Sequence, residues 1–131
     1  MLESRTLSIS IDRDWSELYE TIWRPEFFPN WASGLSKSSL TRDGDAWLAE
    51  GPDGTIRIVF TDHNAFGVMD HYVIPSGGTE VYVPLRVLQN GEGSEVIFTL
   101  FRQPGMSDAQ FSADAEWVAR DLFALKALVT V

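Results

Sequence analysis

The sequence predicts an α+β protein. It should hold an antiparallel β-sheet of about seven strands, two short helices after the first strand, and one long C-terminal helix. Three patterns carry this. "TLSISI", residues 6–11, alternates apolar and polar side chains with the period of a half-buried strand. The middle of the chain alternates β-prone runs with glycine-rich turns, the mark of an antiparallel meander. From Phe111 onward one apolar stripe (Phe111, Ala115, Val118, Leu122, Leu125, Val129) steps by fours and threes.

Each element has a local reason. In "DWSELYETIW" Asp14 and Glu17 form a D-x-x-E capping pair, and Trp15, Leu18, Tyr19 and Ile22 recur at helical spacing. Pro25 stops that helix, because the residue before a proline disfavours helical geometry. "PEFFPNWASG" predicts a second short helix, with Pro25 in its first turn and Gly34 near its end. "SKSSLTR" and "AWLAE" flank Asp43-Gly44, a hairpin signal, and "GPDG" is a tight turn. "TIRIVFTD", "GVMDHYVI", "TEVYVPLRVL" and "EVIFTLFR" follow as strands. Ser107 and Gln110 cap the last helix, whose stripe should lie on the concave face of the sheet. No repeat, low-complexity run or linker divides residues 1–131, so one domain is expected.

Composition narrows the partners. The 131 residues carry a net charge of −9 and only two lysines, Lys37 and Lys126. Phosphate backbones and anionic lipid heads attract basic patches, so neither nucleic acid nor a membrane surface is an expected partner. The absence of cysteine removes disulfides, thiolate metal sites and cysteine nucleophiles. The start "MLESRTLSIS" has neither the basic nor the apolar region of a signal peptide, and no apolar run approaches the roughly 20 residues of a membrane span. The expected address is the cytoplasm. There is no G-x-G-x-x-G and no P-loop, so no nucleotide or flavin cofactor is expected.

The order strand, two helices, six strands, long helix resembles the helix-grip fold of the START-like, polyketide-cyclase-like (SRPBCC) superfamily. "FPNWASG", "NAFGVMDHYV", "EVYVPLRV" and "EVIFTLFRQPGMSD" look most like a subgroup of it. The resemblance covers nearly the whole chain. It implies a curved sheet wrapped round the C-terminal helix, with a mainly apolar cavity between them. Three functions follow as expectations. The first is binding, transport or sequestration of a hydrophobic small molecule. The second is a cyclase or dehydratase using acid/base chemistry without a metal. The third is a protein-interaction module whose cavity is filled, as in superfamily members that contact chaperones or ribosomes.

Strand register decides which side chains reach such a cavity, since a slip of one residue reverses every face. In "NAFG" Asn64 suits the first position of a type I turn, and Gly67 suits its left-handed end. A three-residue bulged loop then sets Asp62 opposite Asp70, Phe60 opposite Tyr72 and Ile58 opposite Ile74, with even-numbered residues inside. The next hairpins set Tyr72 against Val81 and Asp70 against Val83, and then Val87, Leu85, Val83 and Val81 against Val96, Phe98, Leu100 and Arg102. Pro84 interrupts this run and predicts a bulge.

This register makes Asp70, Tyr72 and Arg102 the catalytic candidates. Paired carboxylates can raise one pKa, an arginine can hold an oxyanion, and a tyrosine can donate a proton. The same arrangement admits a structural use, in which Arg102 pairs with Asp62 or Asp70. The expected ligand-binding set is Phe28, Trp31, Phe60, Asp62, Asp70, Tyr72, Val83, Leu85, Phe98, Leu100, Arg102, Val118 and Leu122. Phe28 and Trp31 flank the cavity mouth by resemblance, though they could equally plug the core. His71 should face outward opposite Thr61, with His63 nearby. Two histidines fall short of the ligands a zinc site needs, so no metal is expected. Tyr82, Leu88, Ile97 and Phe101 form an apolar outer patch, a candidate homodimer interface.

Overall fold

The computed structural model describes residues 1–35, 39–51 and 54–130. Eight strands occur among them: β1 (Ser4–Ile11), β2 (Thr41–Asp43), β3 (Ala46–Gly51), β4 (Gly54–Phe60), β5 (His71–Pro75), β6 (Val81–Val83), β7 (Leu85–Asn90) and β8 (Gly93–Phe101). Helix α1 (Trp15–Ile22) follows β1, and helix α2 (Asp108–Val129) closes the chain. Parts of the predicted strand over 36–42 and of the turn over 51–54 lie outside the described residues. No described helix is long and apolar enough to cross a membrane.

Both capping predictions hold. The Asp14 carboxylate accepts from the Glu17 N–H at 3.0 Å, and the Ser107 hydroxyl accepts from the Gln110 N–H at 3.1 Å. The predicted second helix is instead two 3-10 turns, Pro25–Asn30 and Ser33–Leu35. Pro29 sits within the first and has no N–H for a longer α-helical ladder.

The strands form two antiparallel sheets, β1-β8-β7 and β2-β3-β4-β5-β6. β1 pairs with β8 along its whole length, from Ser4 opposite Phe101 to Ile11 opposite Ser94. α2 lies across β1 and β8, and α1 packs on β7 and β8. Ile11, Leu18, Ile22, Leu85, Val87, Val96, Leu122 and Leu125 are almost fully buried between them. Burial of each such side chain contributes about 1.5–3 kcal/mol. This is the helix-grip arrangement: antiparallel sheet wrapped on a long C-terminal helix.

The strand predicted over 79–88 is two strands, because the chain changes sheets at Pro84. β6 pairs with β5 and β7 pairs with β8. The β7–β8 register is the predicted one, with Leu85 opposite Phe98 and Val87 opposite Val96. The β4–β5 register differs by one residue. Phe60 faces His71, Ile58 faces Val73, and Tyr72 faces Val59. Val73 then pairs with Val81 and His71 with Val83. The two one-residue slips cancel in β6, so β5 alone is turned over.

The cause is the connection over residues 61–70, which is no tight bulged hairpin. Gly67 does adopt the predicted left-handed conformation, with φ +71°. Its carbonyl, however, accepts from the Val87 N–H at 2.9 Å, and the Met69 N–H donates to Leu85 O at 2.8 Å. Residues 67–69 thus leave β4 and bridge across to β7, with Val68 opposite Arg86. The Asn64 side chain closes the loop, accepting from the N–H groups of Phe66 and Val68 and donating to the carbonyls of Asp62 and Val68.

Asp70 ties the crossover to the sheet change. One carboxylate oxygen accepts from the Leu85 N–H at 2.9 Å, just after Pro84. The other accepts from the Tyr82 hydroxyl at 2.9 Å and from Nη2 of Arg86 at 3.0 Å. Burial alone would raise the Asp70 pKa, but these donors outweigh it and hold the carboxyl below its ordinary value. Asp70→Ala leaves the Leu85 N–H without its partner and should lower the unfolding free energy by about 2–3 kcal/mol. Asp70→Asn keeps an acceptor there and should cost about 1 kcal/mol. Urea unfolding of both variants checks the order.

Candidate functional site

With β5 turned over, its odd-numbered residues join the even-numbered ones of β4 on the inner face. His71 and Val73 of β5 stand beside Ile56, Ile58 and Phe60 of β4, Val83 of β6 and Phe98 of β8. Opposite them lie Phe28, Trp31, Ala32, Gly34 and Leu35 from the 3-10 region, and Trp117, Val118 and Asp121 from α2. Together they enclose a cavity of about 370 Å³. Val118 explains a detail of the α2 stripe. Phe111, Ala115, Leu122, Leu125 and Val129 are buried, whereas Val118 is only half-buried because it faces this space.

His71 and Asp121 are the titratable side chains of the wall. His71 is 8% exposed, and its ring lies 5.6 Å, centroid to centroid, from both Phe28 and Phe60. Nδ1 is 3.0 Å from Met69 O. A carbonyl only accepts, so Nδ1 carries the proton and Nε2 keeps a lone pair. Burial lowers the His71 pKa, against the smaller opposing effects of Met69 O and Asp70. The ring is therefore neutral at pH 7. Asp121 sits at the rim, where it accepts from the Ser33 hydroxyl at 2.7 Å and the Ser33 N–H at 3.3 Å. Burial pushes its pKa up against those two donors. This contact joins the second 3-10 turn to α2 beside the mouth.

The structure divides the predicted site residues. Phe28, Trp31, Phe60, Val83, Phe98 and Val118 line the cavity. Leu85 and Leu122 are buried in the core and Leu100 is half-buried on β8, all three outside the lining. Asp62 is exposed and borders a surface groove with Trp23 and His63. Asp70 and Tyr72 face outward. The Tyr72 ring packs at a tilt on Tyr82 at 5.1 Å, and Tyr82 stacks on Phe101 at 6.2 Å, so Tyr72 extends the outer apolar patch. Arg102, just past β8, pairs with Glu3 and Asp108 and donates to Met106 O, fastening the N-terminus to the start of α2. The predicted row of inner polar groups therefore does not form.

The two histidines separate, and the expectation for His71 is reversed: its ring stands on the inner wall, whereas His63 lies in the loop after β4. His63 is half-exposed, 2.8 Å from the Glu20 carboxylate, and packs on Trp23 and Tyr19. Among the described residues no three His, Cys, Asp or Glu side chains converge on a point. His71 and Asp121 were missed as cavity residues. One signal pointed to His71. Aspartate is almost never buried without a partner, whereas histidine often is part-buried, so between neighbours the aspartate belongs outside.

No protein-family model and no curated protein matches this chain. Solved structures do. A protein from Bacillus thuringiensis superposes with a TM-score of 0.76 at 19% identity, over 96% of this chain and 98% of its own. The Aha1 dimer from Colwellia psychrerythraea gives a TM-score of 0.72 at 12% identity, over 98% and 97%. Ara h 8.0201 gives 0.67 at 11% identity, over 98% of each chain. At such identities the likeness establishes the fold: all three share the helix-grip architecture with this chain.

The His71 environment sets a pH dependence. The unfolded chain binds the proton near the ordinary value of 6.5, and the folded chain binds it only at lower pH. The His71 contribution to stability is thus complete above about pH 6.5 and declines below it, by at most about 1.4 kcal/mol per pH unit. The stability difference between wild type and His71→Phe should shift against wild type as pH falls from 7 to about 5.5. Urea titrations at several pH values read this directly.

Proposed function

We propose that this protein binds a hydrophobic small molecule in the cavity between sheet and α2, as a carrier or sequestering protein. The carrying observation is the cavity itself: about 370 Å³, walled almost wholly by aromatic and aliphatic side chains. At about 30 Å³ per water this space corresponds to roughly a dozen waters. Few of them could find hydrogen-bonding partners, so an apolar ligand that displaces them gains free energy. The size falls in the ordinary range for small-molecule sites. The helix-grip likeness and the resemblance to the START-like superfamily support the same reading.

The competing readings have less support. A cyclase or dehydratase would need its acid and base to touch the substrate, and Asp70, Tyr72 and Arg102 do not line the cavity. An interaction module with a filled interior would leave no such space. Self-association can coexist with ligand binding. Tyr72, Tyr82 and Leu88 are exposed on the outer sheet face, and the Colwellia Aha1 was solved as a dimer. A homodimer through that face is the form we propose for it.

Val118→Trp tests the reading, because the larger ring projects from α2 into the space. The neutral fluorophore N-phenyl-1-naphthylamine should bind wild type saturably, with a blue-shifted emission. The variant should bind it at least about tenfold more weakly while unfolding at a similar urea concentration, since the added ring fills a void rather than overpacking a core. Equal binding by both proteins would place the fluorophore elsewhere.

A further inference from the structure

The cavity also specifies a chemistry for its occupant; this inference rests on the binding reading above. His71 spends its one N–H on Met69 O. Its other nitrogen, Nε2, has no hydrogen-bond partner among the described residues. Nε1 of Trp31 is likewise unpartnered, but it is a donor and is sealed within the packing. The His71 ring stands on the cavity wall between Phe28 and Phe60. The wall therefore offers one imidazole acceptor set among apolar groups.

The charges of the wall narrow the choice further. Among its described residues there is no lysine or arginine, and the rim holds the Asp121 carboxylate. A carboxylate ligand would be desolvated with no cation to meet it and an anion at the entrance. An ammonium group could meet the Asp121 carboxylate only at the rim; beside His71 it would exchange its hydration for a single neutral acceptor. A neutral hydroxyl loses least and completes the imidazole. We propose that the ligand is a neutral, mainly apolar molecule bearing a hydroxyl that donates a hydrogen bond to Nε2 of His71.

Four probes of one ring system test this by calorimetry on the full chain at pH 7: naphthalene, 2-methoxynaphthalene, 2-naphthol and 2-naphthoate. The expected result is that 2-naphthol binds at least about tenfold tighter than 2-methoxynaphthalene, which lacks the donor. 2-Naphthoate should bind no better than naphthalene. His71→Phe should bring 2-naphthol and 2-methoxynaphthalene within about threefold of each other. If that variant does not fold, the wild-type ¹⁵N resonance of His71 Nε2 replaces it, and should move with 2-naphthol but not with 2-methoxynaphthalene. Equal wild-type affinities for those two probes, or tightest binding of 2-naphthoate, would overturn the hydroxyl assignment and leave the cavity reading standing. Failure of all four to bind would overturn both.

Discussion

One carboxylate decides which way the fifth strand faces. Asp70 lies where residues 67–69 have bridged to β7 and the chain is about to enter β5. Its oxygens are held by the Leu85 N–H, the Tyr82 hydroxyl and the Arg86 guanidinium. The backbone donor at Leu85 is there to be capped because the strand changes sheets at Pro84 and its local ladder is interrupted. With Asp70 committed to the outer side, strand alternation sends His71 inward. The inner polar chemistry of the protein follows from a contact made on its outer face.

The cavity is the corollary. In the opposite setting β5 would present Asp70, Tyr72 and Ile74 to α2, placing an acid and a bulky phenol in the space now bounded by His71 and Val73. The observed setting leaves a predominantly apolar wall with one imidazole in it. α2 contributes a stripe that is core along most of its length and wall at Val118. The 3-10 region, shortened by Pro29, brings Phe28 and Trp31 close enough to close the far side. Fold and site are thus shaped by the same breaks in regular structure: a proline that splits a strand, a proline within a short helix, and a glycine that turns the chain toward another sheet.

Much of this was legible in the sequence. The alternation of residues 6–11, the Asp14 and Ser107 caps and the stripe on α2 are local signals. Each records a physical requirement within a few residues. The β7–β8 register was legible too, because Val87, Leu85, Val96 and Phe98 mark one face without ambiguity. In "MDHYVI" both faces are mixed: Met69, His71 and Val73 against Asp70, Tyr72 and Ile74. Hydrophobic pattern does not choose between them, and the turn motif "NAFG" points to the other register. The deciding contacts, from Asp70 to Leu85 and Arg86 and from Gly67 to Val87, span 15 to 20 residues and leave no periodic trace. Arg102 misled for a related reason. It extends the β8 pattern by one residue, but the strand has already ended and its partners are Glu3 and Asp108.

The facing of β5 is read most directly from a nuclear Overhauser spectrum of the ring protons in solution. With β5 set as observed, cross-peaks are expected from the His71 imidazole to the rings of Phe28 and Phe60, together with cross-peaks between Tyr72 and Tyr82. Cross-peaks linking Tyr72 to Phe60, with the His71 ring near Thr61 on the outer face, would contradict that setting.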